Sequence, residues 1–175
     1  MMGIAQTGTG KTAAFLLPIL NKIAQKKTSG VNTLILCPTR ELAIQIEQQI
    51  QGFGYFVGAS SIAIYGGDDG SSWNDQKASL TGGVDFVVAT PGKLLSHLNL
   101  GYVKFDEVQH VILDEADAMT ISAQGMLRRM IEDFTGNARF CLLCNKLKNI
   151  DPAIQSRCTN FRFAPLNSED ILKRV

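Results

Sequence analysis

Short apolar, β-branched runs recur along the chain at Thr33 to Cys37, Ser60 to Tyr65, Asp85 to Ala89, His110 to Leu113, Arg139 to Leu143 and Asn160 to Phe163. Each is bounded by turn-forming residues, which predicts buried strands. Between them apolar positions return at helical spacing. Lys11 to Ala24 places Ala13, Leu16, Leu17, Leu20 and Ile23 on one stripe, with Pro18 inside the pattern, where it costs a helix one hydrogen bond. Arg40 to Ile50 repeats the arrangement with Leu42, Ile46 and Ile50. Ser122 is a predicted N-cap for a third helix in which Met126, Leu127, Met130, Ile131 and Phe134 face inward, while Arg128, Arg129, Glu132 and Asp133 face water. Strands alternating with helices predict an α/β fold with a mostly parallel sheet covered on both faces. In such sheets ligands bind at the carboxyl ends of the strands.

A length of 175 residues corresponds to one domain, and 45% hydrophobic against 19% charged residues excludes disordered and fibrous classes. The formal net charge of +1 also excludes a strongly electrostatic whole-molecule field, so any nucleic-acid contact must use a local patch. The first residues lead directly into a Gly-rich motif, and no apolar run approaches the roughly 20 residues of a membrane span. The expectation is a soluble, cytoplasmic protein. Of four cysteines, Cys141 and Cys144 form a C-x-x-C, but no second close pair accompanies them, so all four are read as buried thiols.

The strongest chemical signal is A-Q-T-G-T-G-K-T, comprising Ala5, Gln6, Thr7, Gly8, Thr9, Gly10, Lys11 and Thr12. A loop that wraps a polyphosphate needs residues without Cβ so that successive N–H groups can converge on its oxygens. Lys11 then reaches the β- and γ-phosphates, Thr12 offers a hydroxyl to Mg²⁺, and the following helix directs its positive end at the anion. The complement is Val111-Ile112-Leu113-Asp114-Glu115, an apolar strand ending in two carboxylates. Asp114 is the expected Mg²⁺ ligand, and Glu115 the expected base for the attacking water.

From Met1 to about Leu113 the chain resembles the first RecA-like domain of DEAD-box RNA helicases. The resemblance rests on Ala5 to Thr12, P-T-R-E-L-A at Pro38 to Ala43, the pair Gly66-Gly67, and T-P-G-K at Thr90 to Lys93. It implies that the last three line an RNA-backbone groove, making Arg40, Gly67 and Lys93 candidate RNA contacts. Lys93 stands where that family usually has Arg, which keeps the charge but loses the planar fork. Past Asp114 the helicase pattern lapses, and no Ser-Ala-Thr follows. The segment from Asp114 to Val175, with N-A-R-F-C-L-L-C-N at Asn137 to Asn145 and Q-S-R-C at Gln155 to Cys158, resembles the small subunits of the clamp loader replication factor C, which are AAA+ ATPases. That resemblance implies a water-positioning sensor role for Asn145 and a trans-acting arginine-finger role for Arg157.

Together the two resemblances imply a composite within one P-loop NTPase domain, a three-layer αβα sandwich of RecA/AAA+ type spanning 1–175. A helicase-like 1–113 joins a clamp-loader-like 114–175 within about 111–119. Both families imply that the strand after the acidic one lies between it and the phosphate-loop strand, so exchange there preserves sheet order and right-handed crossovers. With no linker between the parts, deliberate joining is expected rather than natural fusion. In this account the chain lacks the upstream adenine-recognition segment, a second RecA-like domain, the AAA+ lid, and the ring that would bring a trans partner for Arg157. The expected function is weak binding of Mg-ATP or phosphate, slow or no hydrolysis, and no autonomous helicase or clamp-loading activity. Alternatives are a purely structural fold with a vestigial site, or residual RNA binding through Arg40, Gly67 and Lys93.

Overall fold

A computed structural model of the chain describes residues 2–4, 10–27, 29–67, 70–134 and 136–163. The strands are β1 (Met2–Ile4), β2 (Thr33–Leu36), β3 (Ser61–Ile64), β4 (Phe86–Ala89), β5 (His110–Leu113), β6 (Arg139–Cys144) and β7 (Asn160–Arg162). The helices are α1 (Lys11–Gln25), α2 (Arg40–Gly54), α3 (Gly70–Gly82), α4 (Pro91–Asn99), α5 (Ile121–Phe134) and a short α6 (Pro152–Gln155). The strands form one sheet in the order β3-β4-β2-β5-β6-β1-β7, and every described pairing is parallel. All six apolar runs become strands. β6 inserts between β5 and β1, as both resemblances imply.

The alternation of side chains along each strand sorts the core into two layers. Ile35, Cys37, Phe86, Val88 and Ile112 pack under α1 and α2, while Leu34, Leu36, Val87, Val111, Leu113 and Leu142 pack under α3, α4 and α5. Both faces are therefore covered, which gives the expected three-layer αβα sandwich. Each fully buried Leu, Ile or Phe contributes about 1.5–3 kcal/mol relative to exposure.

On α1 the buried stripe is Phe15, Leu16, Ile19, Leu20 and Ile23, and Leu17 is 52% exposed, contrary to its expected place in the stripe. The helix runs unbroken through Pro18. Pro18 and Ala14, whose carbonyl loses its partner, both lie on the exposed side, where water can satisfy that group. On α2, Ile46 and Ile50 are buried and Leu42 is partly so. On α5, Leu127, Met130 and Ile131 are buried and Met126 partly buried, with Arg128, Arg129 and Glu132 outward; the side chains at 133 and 134 lie outside those described. The expected cap is displaced by two residues, since it is Thr120 Oγ1 that accepts the Ala123 N–H at 3.2 Å, leaving Ser122 in the first turn.

The amino ends of the strands are tied together by hydrogen bonds. Asn32 and Thr33 N–H groups donate to Asp85 O, and Gln109 and His110 N–H groups to Asn32 O. The Asp85 carboxylate accepts from the Ser60 N–H and hydroxyl, both at 2.8 Å. Glu107 similarly accepts from Ser29 Oγ at 2.6 Å and from the Ser29 and Gly30 N–H groups. Gly83 (φ +81) packs against this end, and a Cβ there would sit 2.6 Å from Ser29 O, so only glycine fits. With the amino edge locked in this way, the carboxyl edge is left for chemistry.

Burial lowers the pKa of both histidines, with the Lys93 charge adding to the effect at His97 and the Lys22 charge at His110. The His110 Nε2 is a buried nitrogen with no hydrogen-bond partner among the described residues. A histidine whose folded pKa lies below its unfolded value of about 6.5 leaves the unfolded chain holding more protons, so stability is full above that pH and declines as pH falls below it. The urea midpoint should therefore drop more steeply between pH 7 and 5.5 for wild type than for His110→Gln. Titrations common to both proteins cancel in that comparison, and parallel curves would contradict the assignment to His110.

Candidate functional site

Gly10 precedes α1 with φ 76° in the left-handed region, a conformation that turns the chain into the helix and is open to glycine at little cost. Its carbonyl accepts the Ala14 N–H at 3.0 Å and starts the helical ladder. Lys11 and Thr12 occupy the first turn, which carries no acidic residue, so the positive end of a 15-residue helix is left for an anion. Ala5, Gln6, Thr7, Gly8 and Thr9 lie outside the described residues.

Asp114 follows β5 directly and is buried. Burial raises its pKa above the ordinary carboxylate value, opposed by the Glu115 N–H and the Lys11 charge, while the Glu115 charge raises it further. The Glu115 N–H donates to Asp114 Oδ1 at 2.9 Å, and Glu115 itself has φ 49°, the only left-handed non-glycine among the described residues. Asn145 follows β6, and its Oδ1 accepts from Lys11 Nζ at 3.3 Å. The fold thus brings together Lys11, Asp114, Glu115 and Asn145 from the ends of three elements, with Thr12 in the same helical turn as Lys11.

One residue of this site escaped the sequence reading. The two oxygens of Asp117, on the 3-10 turn Ala116–Ala118, accept the Asn145 N–H at 3.2 Å and the Lys146 N–H at 3.0 Å. Asp117 therefore positions the loop that carries Asn145. Its signal was the second Asp of D-E-A-D, three residues beyond Asp114, which a tight turn aims back at the sheet.

The candidate RNA contacts lie along the other half of the same edge, at the ends of β2, β3 and β4. Thr39 caps α2 by accepting the Leu42 N–H, and the Arg40 guanidinium lies over the Tyr65 ring, 4.7 Å from its centroid. Gly67 (φ +94) passes close to Arg40, where an added Cβ would be 3.4 Å from Nη1. Lys93 lies in the first turn of α4 with its Nζ 4.5 Å from the centre of the Trp73 ring. A cleft of about 230 Å³ is lined by Pro38, Thr90, Pro91 and Gly92 together with Ala118, Met119 and Thr120 of the turn that follows Asp114.

Two further expectations are placed by the structure. Arg157 is exposed and pairs with Glu132 of its own chain at 3.1 Å, while its Nη1 donates to Ala153 O at 2.7 Å. The cysteines are free thiols, Cys37 and Cys144 buried, Cys141 and Cys158 partly buried. Burial pushes Cys37 up to about 12, helped by the Asp114 and Glu115 charges, and burial likewise raises the other three. Protonated thiols of this kind are poor nucleophiles and poor metal ligands. Among the described residues no helix is long and apolar enough to cross a membrane.

Residues 1–145 match the model of the DEAD/DEAH box helicase family. The chain is 47% identical over 119 residues to the ATP-dependent RNA helicase CshA of Listeria monocytogenes, covering 68% of this chain and 22% of that protein. It is 44% identical over 123 residues to the ATP-dependent RNA helicase DDX42 of Xenopus laevis, covering 68% of this chain and 13% of that one. The chain thus spans less than a quarter of the length of these relatives. Among solved structures, the yeast DEAD-box splicing factor Prp28 superposes with a TM-score of 0.75 and 29% identity, over 89% of this chain and 38% of that one. A hypothetical ATP-dependent RNA helicase from Sulfolobus tokodaii gives the same TM-score with 28% identity, over 93% of this chain and 47% of that one.

Because burial disfavours the charged form of Asp114, its carboxylate costs stability above its folded pKa when no cation is bound. Asp114→Asn should therefore raise the melting temperature of metal-free protein at pH 7, by about 2–4 °C for each kcal/mol relieved. Thermal melts in EDTA measure this directly. A lower melting temperature for the variant would show that the Lys11 attraction outweighs desolvation.

Proposed function

The chain belongs to the DEAD/DEAH box helicase family, and we propose that it acts as that family's nucleotide-binding domain, taking Mg-ATP at the ends of β1, β5 and β6. The observation that carries this reading is the convergence of Lys11, Asn145 and the buried Asp114 at the positive end of α1. Lys11 and the N–H groups of the first helical turn hold the phosphate oxygens. The Thr12 hydroxyl and Asp114 carboxylate are the hard oxygen donors that suit Mg²⁺, which when bound neutralises phosphate charge. Glu115 takes the proton of the attacking water, and Asn145, anchored through Asp117, orients that water.

Binding is weak in this proposal, and hydrolysis slow or absent. Removing one preorganised donor from a transition state costs about a hundredfold to a thousandfold in rate. Arg157, the arginine expected to act from a neighbouring copy, is engaged with Glu132 within its own chain. Unwinding and clamp loading are not proposed as autonomous activities. Residual RNA binding at the second half of the edge is proposed through Arg40, Gly67 and Lys93, supported by their placement at successive strand ends. A composite origin is also proposed. It rests on the resemblance of residues 114–175 to clamp-loader subunits alone, while the helicase family match runs through residue 145, past the expected junction.

Calorimetric titration of Mg-ATP into wild type and Lys11→Ala tests the nucleotide reading. Wild type should give a saturable heat that Lys11→Ala loses, the variant still unfolding cooperatively in a thermal melt because Lys11 lies near the surface. Equal heats, or none in either protein, would remove the claim.

A further inference from the structure

Between α3 and α4 lies an aromatic cluster that the nucleotide site does not use. Trp73 is the chain's single tryptophan. Its ring stacks on the His97 imidazole, with centroids 4.0 Å apart and planes within 10°. His97 is fully buried, and both its nitrogens are engaged: Nε2 lies 3.0 Å from Gln76 Oε1, and Nδ1 is hydrogen-bonded to the Tyr102 hydroxyl. With Gln76 accepting from Nε2–H and Tyr102 donating to Nδ1, the imidazole is neutral and cannot turn. Burial, which lowers its pKa, acts in the same direction. Gln76 and Trp73 lie one turn apart on α3, so that helix grips His97 by a hydrogen bond and by a ring face at once.

Lys93 lies one turn before His97 on α4, at the positive end of that helix, and its ammonium is held over the Trp73 ring. Lysine is a point charge on a flexible four-carbon stem and fixes no geometry by itself. A tryptophan face attracts an ammonium and confines it. Here the face is rigid, because the ring beneath it is pinned from two sides. We propose that Trp73, pinned by His97, is a positioning residue that holds the Lys93 ammonium at the N-terminus of α4 for a phosphate of single-stranded RNA. This rests on the RNA reading of Lys93 given above. Trp73 makes no contact with RNA in this role; it acts through Lys93.

A double-mutant cycle on the full chain tests the proposal, using fluorescence anisotropy of a labelled uridine decamer at three salt concentrations. Lys93→Gln should weaken binding and reduce the salt slope by about one phosphate contact. Trp73→Leu should weaken binding about twofold to fivefold in the Lys93 background and have no effect in the Lys93→Gln background. Trp73→Phe, which keeps a ring face, should fall between. Without RNA, Lys93→Gln should shift the Trp73 emission, which reports the pair itself. If Trp73→Leu costs the same in both backgrounds, the positioning role is overturned while RNA binding through Lys93 stands. If Lys93→Gln shifts the emission but changes neither affinity nor salt slope, the RNA reading fails and the proposal with it. Should Trp73→Leu lower the melting temperature enough to unfold the chain, Trp73→Phe completes the cycle with the same criteria.

Discussion

The insertion of β6 between β5 and β1 is the constraint on which the rest of the molecule depends. Parallel strands lie about 4.8 Å apart, so side chains at the ends of three adjacent strands fall within reach of one ligand, and those two strands further away do not. With β6 in the middle, Asn145 stands between the helix start carrying Lys11 and the acidic turn carrying Asp114. Had β6 added at an edge, Lys11 and Asp114 would face each other with nothing between them to hold a water. Right-handed crossovers make the observed order reachable, and helices on both faces follow from it. The same geometry splits the carboxyl edge into a half at β1, β6 and β5, proposed to take nucleotide, and a second half at β2, β4 and β3.

The acidic turn joins these halves and carries the cost of doing so. Glu115 in the left-handed region costs about 1–2 kcal/mol for a residue with a Cβ, and Asp114 keeps a carboxylate out of water. Both unfavourable features sit on consecutive residues, at the proposed site. They are held in place by neighbours: the Asp114 N–H is tied to Leu36 O at 2.9 Å, and Asp117 anchors the turn to the loop after β6 through two N–H groups. The hydrogen-bonded amino edge supplies the rigidity against which this strain is maintained.

The central strands were legible because burial on both faces leaves a continuous apolar run, and the runs that form the part-buried β3 and the exposed β7 also found their place in the sheet. Candidate site residues could be named because phosphate binding restricts residue types so severely, and the fold gathers Lys11, Thr12, Asp114 and Glu115 at one edge of the sheet. What was missed has a different physical character. α3 has a mostly polar sequence whose inward face, among the described side chains, is carried by Trp73, Gln76 and Leu80, so no apolar stripe announced it. Leu17 was misplaced because Phe15 and Ile19 supply the core-facing stripe instead, turning Leu17 to the side that Pro18 already occupies. Asp117 and His97 act through hydrogen bonds to groups far along the chain, a relation that periodicity does not encode.

The contact between Lys11 and Asn145 also bears on how the site works. Lys11, proposed to hold phosphate, is here found on an amide, and the bond is long at 3.3 Å, exposed, and neutral on one side. Such a bond, long and exposed, is weaker than the contact between opposite charges that a phosphate offers the same ammonium. Exchange of one partner for the other is therefore favourable, and it frees the Asn145 amide oxygen at the moment an anion arrives. Because Asp117 fixes the Asn145 backbone, the freed side chain stays beside the strand ends and does not swing into solvent. An asparagine in that position can then accept from a water lying between it and Glu115. In the proposed nucleotide site, the Lys11 contact would thus keep Asn145 oriented until phosphate takes the lysine away.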